Sequence, residues 1–255
     1  MVRGLYTSAL GMITQMNRMD VVANNIANAD TTGYKRDIAV TRSFSEELFR
    51  RLDDATDIRP NPRIGPMTLG IFVDDIHTDY ATGSFRTTNG NLDLAVSGAG
   101  FFVVQATDAN GNTIEKYTRD GAFTLAQDGS LMTKDGYRVM GENGPIVLPH
   151  GTIGIDESGF IYVNDQLTDR LRLVDFTNPT SLRKTGDNLW AATPESDFRN
   201  FSAKVMQGVL ENSNVNSVKE MVEMITLSRV YEANSRLVMV HDNTLGKAVN
   251  EIARR

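Results

Sequence analysis

Both ends of this 255-residue chain carry an apolar residue at every seventh position, and that repeat constrains the fold more than any other feature. Near the N-terminus Leu5, Met12, Met19 and Ile26 stand seven apart, with Ala9, Met16 and Ala23 between them, so the spacing alternates four and three. Near the C-terminus Met224, Tyr231, Val238, Leu245 and Ile252 repeat at the same interval, although the alternate positions Ser228, Ser235 and Asp242 are polar. A period of 3.5 residues keeps one seam of a helix facing a partner helix along its length. An apolar stripe most often docks a helix on its own domain's core. The regular alternation, the terminal placement and the length of the second segment favour packing between the chain's ends, or between copies of the chain. These twelve stripe residues are therefore the candidate assembly interface.

The segment 3–27 is predicted to be a helix of weak propensity, because Gly4, Gly11, Thr7, Thr14, Val21 and Val22 are poor helix formers. Such a helix is marginal in water without a packing partner. The turn and capping residues from Asn28 to Gly33 end it. In the stretch 34–82, residues Ser45 to Leu52 fit a short helix. Pro60, Pro62, Gly65, Pro66 and Gly70 then enforce an extended connector that enters a strand at Ile71–Val73. A second helix is expected from Ser217, with Glu220 at capping-box spacing, to about residue 253.

Between the helices the chain reads as β. Asn110–Gly111, Asp120–Gly121, Asp128–Gly129, Asp135–Gly136, Asn143–Gly144 and Ser158–Gly159 are turn dipeptides at strand spacing. Between them lie short runs such as Phe101–Val104, Ala122–Leu125, Tyr137–Met140, Phe160–Val163 and Leu171–Val174. The expected class is α+β, mainly β: a central antiparallel domain (meander, sandwich or irregular barrel) flanked by long terminal helices that pair in a coiled-coil-like core on assembly. The expected divisions are 1–33 for the N-terminal assembly helix, 34–82 for the connector, 83–200 for the β-domain and 201–255 for the C-terminal assembly helix.

Composition excludes several kinds of chemistry. The chain has no cysteine, so disulfides, thiolate metal sites and cysteine nucleophiles are ruled out. With 26 basic and 32 acidic residues it carries a net charge of −6, and it lacks the basic footprint of a nucleic-acid binder. No stretch approaches the ~20 apolar residues of a membrane span, so no membrane insertion is expected. The first residues lack the apolar region of a cleaved secretion signal. His77, His150 and His241 have no ligand-like spacing and fit structural or surface roles. Asp108–Gly111 resembles the start of a calcium loop, but no closing Glu follows in register. Gly98–Ala99–Gly100 precedes a strand rather than a phosphate-binding helix, and so fits a tight turn. No catalytic, cofactor-binding or metal-binding set is expected, and no cofactor.

Asp20-Val21-Val22-Ala23-Asn24-Asn25-Ile26-Ala27-Asn28-Ala29-Asp30-Thr31-Thr32-Gly33-Tyr34-Lys35 resembles the N-terminal signature of the flagellar basal-body rod and hook family. Asn91 to Val96 followed by Gly98, Gly100, Phe101 and Phe102 is similar to its central motif. Tyr117 to Phe123, and Gly208 to Asn216, are also typical of it. The resemblance implies a structural axial component of the bacterial flagellum. Such a subunit is exported unfolded, without signal cleavage, and stacks helically so that its terminal helices line an inner tube. Its partners would be copies of itself, other flagellar rod and hook proteins and the flagellar export apparatus. A single compact β-domain argues against the hook protein itself. Leu171–Phe176 and Leu182–Leu189 look F-type, whereas the opening Met1–Tyr6 fits the G-type distal rod protein equally. The rival from another class is a soluble β-domain enzyme or carbohydrate-binding module with accessory helices.

Overall fold

The computed structural model describes residues 2–44, 47–50, 63–68, 70–107, 111–199 and 201–252. It divides into two compact units. A helical unit comprises Met1–Ile26, Asp37–His77 and Ser217–Arg255; a β unit comprises Ala27–Arg36 and Thr78–Asn216. The architecture is thus mainly β, with one helix at each end of the chain and antiparallel strand pairing among the described residues.

In the β unit the strand Phe101–Thr107 is central. One edge pairs with Thr113–Thr118 along its whole length, from Phe102↔Thr118 to Thr107↔Thr113. The other edge pairs with Arg138–Gly141 and with Leu173–Phe176. Both faces of this strand are covered. Phe102 and Val104 join a core with Leu131, Val139 and Ile161, while Phe101 and Val103 join a second cluster around Trp190 and Phe176. That is why its apolar run is continuous rather than alternating. Each such side chain contributes roughly 1.5–3 kcal/mol of burial. A separate three-stranded meander, Ile153–Ile155, Phe160–Val163 and Gln166–Arg170, lays Ile161 and Val163 on the first core.

The turn dipeptides divide into two kinds. Gly129, Gly136, Gly144 and Gly159 take positive φ as the turns require. Asp120–Gly121 does not. A Cβ on Gly121 would lie 1.7 Å from the Leu94 carbonyl oxygen, so the glycine is there to let two backbones meet. The calcium-like residues 108–110 lie outside the described residues; the flanking strands 101–107 and 113–118 form a hairpin around them.

In the helical unit, α1 spans Val2–Ala27 and α2 spans Ser217–Ile252. At 1.5 Å per residue the 36 residues of α2 extend about 54 Å. The connector contains more strand than the sequence suggested. Asp37–Ser43 pairs with Ile71–Thr78. Residues 47–50, expected to be helical, are a strand paired with Arg63–Met67, in the register Leu48↔Pro66 and Phe49↔Gly65. A helix of two turns has too few hydrogen bonds to outweigh its nucleation cost, whereas a ladder to 63–67 satisfies the same backbone groups. Pro60 and Pro62 lie outside the described residues. Among the described residues, no helix is long and apolar enough to cross a membrane.

Candidate assembly surface and buried polar knot

Within the helical unit, α1 carries two parallel stripes with the same four–three spacing, one residue apart. The stripe that meets α2 is mostly glycine and polar residues, with Val22 its one apolar member: Gly4, Ser8, Gly11, Gln15, Arg18, Val22 and Asn25. A Cβ on Gly4 would lie 2.6 Å from His241 Nε2, and one on Gly11 would lie 3.0 Å from Asn234 Nδ2. Further along, Arg18 donates to Glu223 Oε1 at 3.1 Å and Asn25 Nδ2 donates to Glu220 Oε2 at 3.2 Å. Numbers rise on one helix as they fall on the other, so the pair is antiparallel.

Asn25 shows why a buried amide is tolerated in this seam. Its Nδ2 also donates to the Asp37 carbonyl at 2.8 Å, and its Oδ1 accepts from the Asp37 N–H at 2.9 Å. Both functional groups of the amide are therefore partnered, as burial requires. The Thr14 hydroxyl lies 2.8 Å from the Leu10 carbonyl and 2.9 Å from that of Ile71, tying α1 to the strand ribbon. Glu220, read from sequence as a capping-box residue, is buried and reaches across to Asn25.

The apolar stripe lies one residue further on, about 100° around the helix. Leu5, Ala9, Met12, Met19 and Ile26 are half-buried, Ala23 is exposed and Met16 is 47% exposed. Tyr6 and Ile13 beside it are also exposed. On α2, Met224, Val238 and Leu245 are half-buried and Tyr231 is exposed, while the side chain of Ile252 lies outside the described residues. The seam residues that alternate with them are Leu227, Asn234 and His241 rather than Ser228, Ser235 and Asp242. Val218, Met221, Val222, Ile225, Leu237 and Val240 leave further apolar surface on α2 exposed. These residues make up the candidate assembly surface.

The β unit holds a different constellation, which the sequence did not reveal. Lys35 Nζ lies 2.6 Å from Glu211 Oε1, each side chain only 1% exposed. Arg119, 5% exposed, lies 3.5 Å from the other Glu211 oxygen. Most of the remaining donors and acceptors are used locally, while the buried Arg119 Nε has no hydrogen-bond partner among the described residues. Lys35 donates to the Ala81 carbonyl, Arg119 to the Gly98 carbonyl at 2.8 Å, and the Gly83 N–H donates to Glu211 at 3.0 Å. Burial pushes the Lys35 ammonium and the Arg119 guanidinium below their ordinary values, against the pull of Glu211. Nearby, the Thr32 hydroxyl donates to Asp120, whose carboxyl burial pushes up. Asn214 accepts from the Arg36 N–H at 2.7 Å and donates to the Asp79 carbonyl at 2.8 Å. Gly33, with φ of 66°, donates its N–H to the Glu211 carbonyl; a Cβ there would strike the Arg119 backbone at 2.4 Å.

The side chains of Thr32, Lys35, Arg119, Asp120, Glu211 and Asn214 come from the segments 32–35, 117–123 and 208–216, which are far apart in sequence and meet in one place. Three family profiles match the chain over the same regions. "Flagella basal body rod protein" matches residues 5–35, the "Flagellar hook protein FlgE/F/G D1 domain" 95–163, and "Flagellar basal body rod FlgEFG protein C-terminal" 206–251. The flagellar basal-body rod protein FlgG of Buchnera aphidicola subsp. Schizaphis graminum is 33% identical, covering 97% of this chain and 98% of its own length. The chain belongs to the flagellar basal-body rod protein family.

Among other relatives of this rod protein, FlgG of Agrobacterium fabrum is 35% identical over 94% of this chain and 96% of its own. FlgF of Caulobacter vibrioides is 32% identical over 96% and 94%. The protein is therefore a structural component of the flagellar basal-body rod, and not an enzyme. Its histidines are placed accordingly. His77 is exposed beside Asp75, His150 is exposed, and His241 packs on Gly4. Among the described residues no group of three His, Asp or Glu side chains converges as a metal site would need.

Proposed function

We propose that the protein is an axial subunit whose helices complete their packing only on assembly with copies of itself and neighbouring rod and hook proteins. The observation that carries this reading is the placement of the two α1 stripes. The polar stripe is used within the chain, while the apolar stripe of Leu5, Ala9, Met12, Met16, Met19, Ala23 and Ile26 keeps much of its surface available. With Met224, Tyr231, Val238, Leu245 and Ile252 it would form the coiled-coil-like core of a helical tube. Contacts of this heterologous kind leave a fresh site on each added subunit, so an open filament grows. Such a filament transmits torque by tight packing and forms the wall of an export channel.

Delivery through the flagellar export apparatus without signal cleavage fits the weak intrinsic propensity of α1. Ordering on docking costs conformational entropy, which the buried apolar stripes offset. The strands around Leu171–Phe176 and Leu182–Leu189 favour the F-type over the G-type distal rod protein, and relatives bearing each name match the chain at similar identity. Complementation of strains lacking one or the other type decides that choice. For the assembly surface, Met16→Asp is the direct test. The side chain is 47% exposed, so the isolated protein should keep its stability within about 0.5 kcal/mol. A charge buried at a subunit contact costs several kcal/mol unless it is paired, and rods should fail to form. Normal motility in this strain would remove the proposed contact.

A further inference from the structure

The three-stranded meander of the β unit has an outer face that takes no part in the helix packing proposed above. Alternation sends Ile161 and Val163 to the core, so Phe160 and Tyr162 stand on the opposite face. Tyr162 pairs across the strands with Gly154 on one side and with Leu167, 59% exposed, on the other. Among the described residues, no atom beyond its chain neighbours lies within 4 Å of where a Gly154 Cβ would be, which leaves an open slot beside the tyrosine. The slot belongs to a shallow pocket of about 370 Å³ lined by Thr152, Gly154, Tyr162, Asn164 and Asp165.

Of the polar groups around this slot, the Asn164 amide is held by a hydrogen bond and the others are unpartnered among the described residues. Asn164 and Asp165 form a tight turn, both with positive φ (51° and 64°), and Asn164 Oδ1 accepts from the Thr152 N–H at 3.0 Å. That bond fixes the amide and leaves its Nδ2 free. The hydroxyls of Thr152 and Tyr162 and the carboxylate of Asp165 likewise have no hydrogen-bond partner among the described residues. Among the described residues no lysine or arginine lines the pocket. Arg170, paired across the strands with Phe160, has its guanidinium over the Phe160 ring at 4.7 Å and bonded to Glu142 at 2.9 Å.

We propose that this face binds an uncharged glycan, with a pyranose ring laid against Tyr162 over Gly154. A sugar ring offers an apolar C–H face to an aromatic side chain and a rim of hydroxyls that both donate and accept. Thr152, Tyr162, Asn164 and Asp165 supply the complementary donors and acceptors. The carboxylate and the absence of a lining cation disfavour an anion. Tyr162 lies on the central strand, whose two edges are already paired, so an added peptide strand has no ladder to join there. The inference does not depend on how the helices assemble.

The test titrates the full chain with cellotetraose and with chitotetraose, following backbone NMR shifts, with decaproline and inorganic phosphate as comparison ligands. Saturable shifts confined to residues 152–167 are expected for at least one of the two glycans, with Kd of about 0.1–1 mM. Tyr162→Ala and Gly154→Val, which remove the ring and fill the slot, should each weaken binding at least about tenfold. Asp165→Asn, at an exposed turn that tolerates either residue, should weaken it less and guards against misfolding of the first two. Unfolding midpoints measured alongside separate loss of the site from loss of the fold. No shift at about 10 mM of either glycan, binding unchanged by Tyr162→Ala, or saturable binding of decaproline or phosphate alone would overturn the proposal.

Discussion

The β unit and the helical unit use the same kinds of residue in opposite places. In the β unit Phe102, Val104, Leu131 and Ile161 are inside, and the charges of Lys35, Arg119 and Glu211 are buried with them only because they are paired with one another and with backbone groups. In the helical unit, glycines, Ser8, Gln15, Arg18 and Asn25 occupy the seam, while Tyr6, Ile13, Met16, Met221 and Ile225 face outward. A closed core satisfies itself. An antiparallel pair with a largely polar seam fixes its register through specific contacts and leaves apolar surface exposed, as the proposed assembly requires.

The sharpest way to break this contrast is to damage each unit separately. Phe102→Ala should cost about 3–5 kcal/mol. Glu211→Leu, which leaves Lys35 and Arg119 as buried cations without their carboxylate, should cost about the same. Both are read by urea unfolding followed through Trp190, the chain's single tryptophan, which is fully buried in the β unit. If Glu211→Leu is as stable as the parent protein, the knot is not structural. Gly11→Val attacks the other unit. The added methyls meet Asn234, and the overpacking should cost about 1–3 kcal/mol. Far-UV circular dichroism should register this as lost helix while Trp190 emission is unchanged; a shared transition would show that the units are not energetically separate.

A smaller effect sharpens the reading of the knot. Burial raises the carboxyl of Asp120 above its ordinary 3.8, so the folded protein holds that proton more tightly than the unfolded chain. Its stabilising contribution is complete below 3.8 and is lost as pH rises through the raised value. Asp120→Asn removes that titration. The stability difference between variant and parent should therefore move in the variant's favour as pH is raised from 3.8 through the mildly acidic range, checked by urea unfolding at successive pH values. A constant difference would mean that the Thr32 and Ala122 hydrogen bonds already hold the charged form. Smallest of all, Lys204→Ala removes an exposed pair with Glu157 and should leave the unfolding midpoint unchanged.

Periodicity and turn chemistry determined much on their own. The seven-residue repeats located both helices, positive-φ glycines such as Gly129 and Gly136 marked the hairpins, and the quoted motifs pointed to the family. These signals are local: a helical period, a turn dipeptide or a short motif is complete within a few residues. What the tertiary structure decided is which of two adjacent stripes on α1 meets α2. The apolar stripe is the louder pattern, but close approach of two backbones depends on Gly4 and Gly11, whose contribution is a missing side chain and adds nothing to a hydrophobic repeat. Residues 47–50 became a strand because their hydrogen-bond partners at 63–67 lie beyond the reach of a helical reading. The union of Lys35 with Glu211, 176 positions apart, has no periodic trace at all. An ion pair forms between whichever charges the fold brings within a few ångströms, and only the folded chain specifies that distance.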